Sequence, residues 1–314
     1  MSQTLPSPAT IGLLGATGAI GKSVSTALAA RGMPFRVIGR DEAKLKSEFP
    51  SAEFAAWNPD DGEATRRAFR GLSTIVYLLG VPYHQFKLHP LLMKRVVEAA
   101  KAEGVKRILL IGTLYPFGRA RTPRIAEDHP REPHTFKGRM RKEQEDILMN
   151  SGLEWSILRL PDFYGPDVVS SLLHDIFVAA ATGRTANVIG PADVPHEFAF
   201  VPDVGPVVTK LLETPGAFGR AWNLGGAGTI TQYHLAELAF GGKPRLRVAG
   251  KLMLRLLGLF NPLMRELVEM HYLQTDPLIV DDTALTGLIG PIAKTPYPDA
   301  IAQSVAAAKA TKRT

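Results

Sequence analysis

Four cations crowd the segment HTFKGRMRKEQEDIL (134–148), where Lys137, Arg139, Arg141 and Lys142 enter the first turns of a predicted amphipathic helix. A helix N-terminus carries roughly half a positive charge, so each such cation costs about 0.3–1 kcal/mol. Lys137 and Arg141 are four residues apart and share one helical face, and arginine does not release its proton. A second stretch, GLLGATGAIGKSV (12–24), spaces Gly15, Gly18 and Gly21 as G-x-x-G-x-x-G. Between a strand and a helix, that spacing gives a tight turn, lets the backbone approach a pyrophosphate and aims helix N–H groups at it. Where the second strand ends, VIGRDEAK (37–44) offers Arg40 and, one turn on, Lys44. An arginine there suits a ribose 2′-phosphate, so NADP(H) is favoured over NAD(H); the competing reading pairs Arg40 with Asp41 or Glu42.

Composition narrows the remaining chemistry. The 314 residues include no cysteine, which excludes disulfides, thiolate nucleophiles and cysteine-ligated metals. The histidines form no cluster at ligand spacing, so no metal site is expected. The net charge of +7 comes from 37 basic residues scattered among 30 acidic ones. Without a basic block or recognition motif this does not point to nucleic acid, but to an anionic small ligand. The start, MSQTLPSPAT, lacks the basic and apolar regions of a signal peptide, and a cytoplasmic location is expected. The most apolar stretch, KLMLRLLGLFNPLMRELVEM (251–270), is broken by Arg255, Pro262 and Arg265 and is too short to span a bilayer. A lid or core helix is the expectation, with Leu252, Leu256, Phe260 and Met264 as a buried stripe.

The elements that must position these groups alternate. Strand patterns at 10–15, 35–40, 52–57, 73–80, 106–113 and 154–160 are separated by helical patterns at 19–31, 41–48, 61–70, 87–103 and 137–151. That rhythm predicts an α/β fold, a Rossmann-type doubly wound parallel sheet. After 166 it changes, with a helix near 168–181, short strands around 186–201, a helix at 203–213, a strand at 221–226 and a largely helical remainder. The expected division is a dinucleotide-binding domain over 1–167, to which 197–226 returns, and a smaller substrate-binding subdomain over 168–196 and 227–314.

Five stretches, GATGAIG (15–21), IGTLYPFG (111–118), EDHPREPHTFKGRMRKEQEDIL (127–148), LRLPDFYGP (158–166) and FAFVPDVGPVVTKLL (198–212), together with RAWNLGGAGTITQYHLAELA (220–239), carry a resemblance over nearly the whole chain. It resembles the extended or atypical branch of the short-chain dehydrogenase/reductase superfamily, which includes the NAD(P)-dependent epimerase/dehydratase family. The resemblance implies a Ser or Thr, a Tyr and a Lys as the catalytic set, and Thr113 matches the first. Lys137 stands at the Tyr position and Arg141 at the Lys position, so the usual pair is absent. KGRMRKEQE (137–145) is instead similar to the isoflavone-reductase-like branch, where a lysine replaces the tyrosine, and this makes Lys137 the candidate proton-transfer group. Repulsion from Arg141, the helix N-terminus, burial and an oxidised nicotinamide would all disfavour its ammonium form. Arg139, Lys142 and the acidic residues 143, 145 and 146 read as a solvated face.

By the same resemblance, Tyr115, Tyr83 and His84 face the nicotinamide end of the cleft, where each could supply an acid. Thr17, Ala19 and Ile20 join the glycines of the turn; Leu79 and Gly80 pass the cofactor ribose; Pro161 and Phe163 contact the carboxamide; and Asn58 lies beside adenine. Tyr164 and His196 border substrate, and Asp203 caps the helix at 203–213. A homodimer through helices 87–103 and 137–151 is implied. The resulting expectation is an NADP(H)-dependent oxidoreductase that reduces a carbonyl or activated double bond of a small organic substrate. A non-catalytic NADP(H) sensor or assembly protein and a sugar-nucleotide epimerase/dehydratase are the alternatives.

Overall fold

A computed structural model describes residues 10–311; most of the N-terminal stretch read above lies outside them. The first half alternates as its sequence requires: β1 (Ile11–Leu14), α1 (Ala19–Ala30), β2 (Phe35–Gly39), α2 (Glu42–Glu48), β3 (Glu53–Ala56), α3 (Gly62–Phe69), β4 (Thr74–Tyr77), α4 (Leu88–Ala102), β5 (Arg107–Thr113), α5 (Phe136–Met149) and β6 (Glu154–Leu160). Asp41, Asp61 and Thr135 cap α2, α3 and α5 by accepting backbone N–H groups, which fixes three of the strand-to-helix turns. The second half adds β7 (Phe163–Tyr164), α6 (His174–Thr182), β8 (Ala186–Ile189), β9 (Pro195–Glu197), β10 (Ala199–Phe200), α7 (Val201–Glu213), β11 (Arg220–Asn223), β12 (Thr229–Thr231), α8 (Gln232–Phe240) and β13 (Leu246–Ala249). It closes with α9 (Lys251–Leu257), α10 (Pro262–Met270), α11 (Tyr272–Thr275), α12 (Thr283–Ile289) and α13 (Tyr297–Thr311).

Seven strands form one sheet in the order β3-β2-β1-β4-β5-β6-β11, every neighbouring pair parallel. This is the expected Rossmann-type sheet. β1 and β4 are buried throughout because helices cover both faces. One face packs with α1 and α7 through Val24, Leu28, Val204 and Val208; the other packs with α3, α4 and α5 through Phe69, Met93, Val96 and Leu148. α1 crosses α7 at backbone contact, since a Cβ on Gly205 would stand 2.2 Å from the Ser23 carbonyl oxygen. The Ser23 hydroxyl accepts the Gly205 N–H at 3.0 Å across that crossing. The strand order reverses between β1 and β4, which opens a crevice at the carboxyl ends of the strands.

A separate core joins α6, α8 and α13 around Tyr164, Phe177, Phe198 and Ile301. The helix expected from 168 starts at His174 instead, after a turn-rich approach. Asp203 does not cap its helix: its carboxylate accepts the backbone N–H and hydroxyl of Thr295 at 2.8 and 2.7 Å, tying the C-terminal segment to α7. The expected stripe of the 251–270 segment is overturned as well. Gly258 to Asn261 split it into α9 and α10, so its leucines share no single face, and Leu252, Leu256 and Phe260 are exposed.

Candidate active site

The glycine turn joins β1 to α1 at the crevice. Gly15 has φ +99°, a conformation that favours glycine, and a Cβ there would press on the Leu78 backbone and the Leu79 side chain. Gly21 lies so close to Ala16 that a Cβ would approach its carbonyl oxygen to 2.4 Å, which locks helix to turn. Gly18 caps α1 with no side-chain acceptor, so the first-turn N–H groups of Ala19, Ile20 and Gly21 are left for an anion. Thr17 is half-buried beside them.

Arg40 follows β2, exposed, and makes no ion pair among the described residues. Its two competitors are committed elsewhere: Asp41 caps α2 through the Lys44 N–H, and Glu42 pairs with Lys46 at 3.0 Å. Lys44 lies 3.9 Å from Glu48. The residues fit a nicotinamide dinucleotide: a cradle that side chains would fill, open helix N–H groups and a free cation at the ribose end. Asn58 is exposed and its side chain accepts the Asp60 N–H, holding its own turn. Gly80 is exposed, and Leu79 alone of that pair touches the glycine turn.

At the other end, β5 delivers Thr113 and, in the turn that follows, Tyr115. The Thr113 hydroxyl is buried without a hydrogen-bond partner, a costly arrangement that a ligand oxygen would relieve. The Tyr115 hydroxyl lies 2.9 Å from that of Tyr83, and Asp162 lines the same small cavity of about 10 Å³. Desolvation pushes the Asp162 carboxyl up to about 6. Burial, assisted by Asp162, pushes Tyr83 up to about 12, and burial, assisted by Tyr83 and Asp162, pushes Tyr115 well above its ordinary value, so both phenols are protonated. Leu267, Met270 and Leu273 complete an apolar wall.

Lys137 is 1% exposed, on the first turn of α5. Its partners are not those the sequence suggests. The Nζ donates to Glu266 at 2.5 Å and to Glu269 at 2.9 Å, and Glu269 also accepts the backbone N–H groups of Phe136 and Lys137. Two carboxylates from α10 thus neutralise the cation at the start of α5, and one of them, Glu269, also caps the helix. Arg141 points away, to Nδ1 of His89 at 3.1 Å and the Ile111 carbonyl at 3.2 Å. Desolvation first, and then the Arg141 charge, hold His89 down to about 2, so it is a neutral acceptor. Arg141 therefore braces the end of β5 beneath Thr113.

The expected solvated face breaks at Glu145, which is buried and takes two hydrogen bonds from Arg159 at 3.0 and 2.8 Å and one from Arg131 at 3.1 Å. Other candidates fall outside the cavity. His84 is exposed against Gln85. Tyr164 is core, its ring tilted or stacked on Phe177, Phe200 and Tyr297. His196 is buried, bonded to the Val194 carbonyl and stacked on Phe198. Pro161 is buried, and Phe163 is paired with Ala199 in a short parallel bridge. Glu266 and Glu269 were not legible as site residues; their i, i+3 placement on an amphipathic helix reads as a solvated edge.

A parallel sheet that reverses at a glycine turn, with a polar cluster beyond β5, defines a nicotinamide-dinucleotide-binding protein of Rossmann type. Residues 15–170 match the family model of NAD(P)H-binding domains. Over its whole length the chain shares its fold with several solved structures. It is similar to the Bordetella bronchiseptica enzyme WbmH in complex with NAD+ (20% identity, 95% of this chain and 98% of that one, TM-score 0.75). It is similar also to a putative epimerase from Burkholderia cenocepacia (17%, 97% and 99%, TM-score 0.79). The UDP-glucose 4-epimerase of Thermotoga maritima, with UDP-glucose, is a third relative (17%, 96% and 99%, TM-score 0.77). No curated protein matches the chain by sequence.

Proposed function

We propose that the protein is an NADP(H)-dependent reductase acting on a carbonyl or activated double bond of a small, largely apolar substrate. The observation that carries this reading is the buried, unpartnered Thr113 hydroxyl at the end of β5, in the strand that leads directly into the Tyr115 turn. A carbonyl oxygen placed there would accept from Thr113 and Tyr115, and the apolar wall would hold the rest of the molecule. The cofactor, when bound, supplies the hydride; the chain orients the reactants and handles the proton. Arg40 recognises the 2′-phosphate. Lys137 is the proton donor, its ammonium held ready by Glu266 and Glu269, while Arg141 fixes the strand end that carries Thr113. Because α10 carries both carboxylates and the wall residues Leu267 and Met270, access to Lys137 requires that helix to move.

The test measures NADPH and NADH oxidation across a panel of apolar aldehydes, ketones and enones. Arg40→Ala should cut the NADPH-to-NADH ratio of kcat/KM by about tenfold or more, since a charge-assisted bond to phosphate contributes roughly 1.5–3 kcal/mol. Lys137→Met should lower kcat about 10²–10⁴-fold. Intact turnover in that variant would move the proton to Tyr115. A second reading, sugar-nucleotide epimerisation, is favoured by the named activities of the structural relatives. It requires stoichiometric NAD retained through purification and released on denaturation, with no net NADPH oxidation.

A further inference from the structure

One surface departs from the composition of the rest of the chain. From Leu238 to Arg265 there is no Asp or Glu, while Lys243, Arg245, Arg247, Lys251, Arg255 and Arg265 supply six cations. All six are exposed, and none forms an ion pair among the described residues. Eight of the thirteen large hydrophobic side chains exposed among the described residues lie between Val248 and Leu263. They crowd the hairpin of α9 and α10, whose backbones approach at Gly258 and Arg265. At its connecting turn Leu259 is 74% and Phe260 90% exposed, with Leu252, Leu256, Leu257 and Leu263 around them. This is an exposed apolar turn in a stretch whose charged side chains are all cationic and unpaired among the described residues.

The charge pattern selects the occupant. Protein interfaces deplete charged residues, lysine among them, at their apolar cores, and a second copy of this chain would oppose six cations with six more. An anionic leaflet accommodates both features, because long cationic side chains reach the headgroups while apolar ones enter the acyl boundary. No helix among the described residues is long and apolar enough to cross a membrane, so the arrangement suits lying in the interface. We propose that the α9–α10 hairpin seats the protein on an anionic phospholipid surface. Leu259 and Phe260 insert, and Lys251, Arg255 and Arg265 hold the headgroups. Glu266 and Glu269 of α10 grip Lys137, so one helix of the seat also covers the site.

The test is co-sedimentation of the full chain with phosphatidylglycerol-containing vesicles and with pure phosphatidylcholine vesicles. Binding should be at least about tenfold stronger to the anionic vesicles and weaken as salt rises. Leu259→Ser with Phe260→Ser should lose at least about tenfold in vesicle affinity while NADPH binding and thermal stability stay unchanged, because both side chains contact mainly solvent. In Phe260→Trp, tryptophan emission should shift to the blue on anionic vesicles alone. Absence of vesicle binding by the wild type, or equal binding by the double serine variant, would overturn the proposal. So would a dimer seen by light scattering that the serine variant abolishes while vesicles are not bound, which would make the tip an interface between copies.

Discussion

The ion pair of Glu145 and Arg159 shows how a residue type misleads when its setting is hidden. A glutamate between Gln144 and Asp146 on a polar helix reads as a solvent-facing charge, yet it lies under the sheet with both oxygens bonded. Arg159 sits on β6, in a buried run where it is the single charged side chain. Glu145→Ala leaves that charge buried without its main partner and should cost about 3–5 kcal/mol in unfolding free energy by urea titration. Glu145→Gln, which keeps the acceptor oxygen, should cost less. Thr113 is the reverse case. Its position was legible by resemblance, but only packing shows its hydroxyl to be buried with no partner.

α10 is the element on which the site turns. Its nine residues present Leu267 and Met270 to the cavity and Glu266 and Glu269 to Lys137, while Leu263 faces solvent. Glu269 does double duty as the anionic cap of α5, because its carboxylate accepts two N–H groups at the positive end of the helix dipole. The cost of placing Lys137 at a helix start is thereby offset from another part of the chain. Glu266→Gln with Glu269→Gln should loosen this closure, raising amide hydrogen exchange across 262–275 relative to the sheet, which remains protected. Unchanged exchange there would mean that the apolar contacts alone hold α10 in place.

For the whole molecule, two buried groups give opposing pH dependences. His89 is held at about 2, below its ordinary 6.5, so its contribution to stability is complete above pH 6.5 and lost as pH falls toward 2. Asp162 is raised to about 6 from 3.8, so its contribution is complete below pH 3.8 and lost as pH rises through 6. Measured by urea unfolding, the stability of the wild type relative to His89→Asn should fall by about 2 kcal/mol between pH 7 and pH 5. Relative to Asp162→Asn it should fall in the opposite direction, as pH rises from 4 to 6. At neutral pH the cavity then pairs two protonated phenols, Tyr83 and Tyr115, with a largely ionised Asp162.

Local pattern alone determined the alternation of β1 to β6 with their helices, the glycine turn and the placement of Arg40 after β2. Those features depend on periodicity, glycine geometry and capping within a few residues, all written contiguously. Helix limits in the first half shifted by a residue or two, and a broken stretch such as 251–270 misled because one turn with a single glycine and one proline decides whether a stripe is continuous. Only the tertiary structure decided what Lys137 touches. Its partners lie 129 and 132 residues away, brought by a helix whose sequence carries no mark of its destination. Arg141 likewise turned from its i, i+4 neighbour to His89, because a buried guanidinium goes where acceptors are. Chemistry-bearing residue types are visible in a sequence; which charges face one another depends on the packing of distant elements.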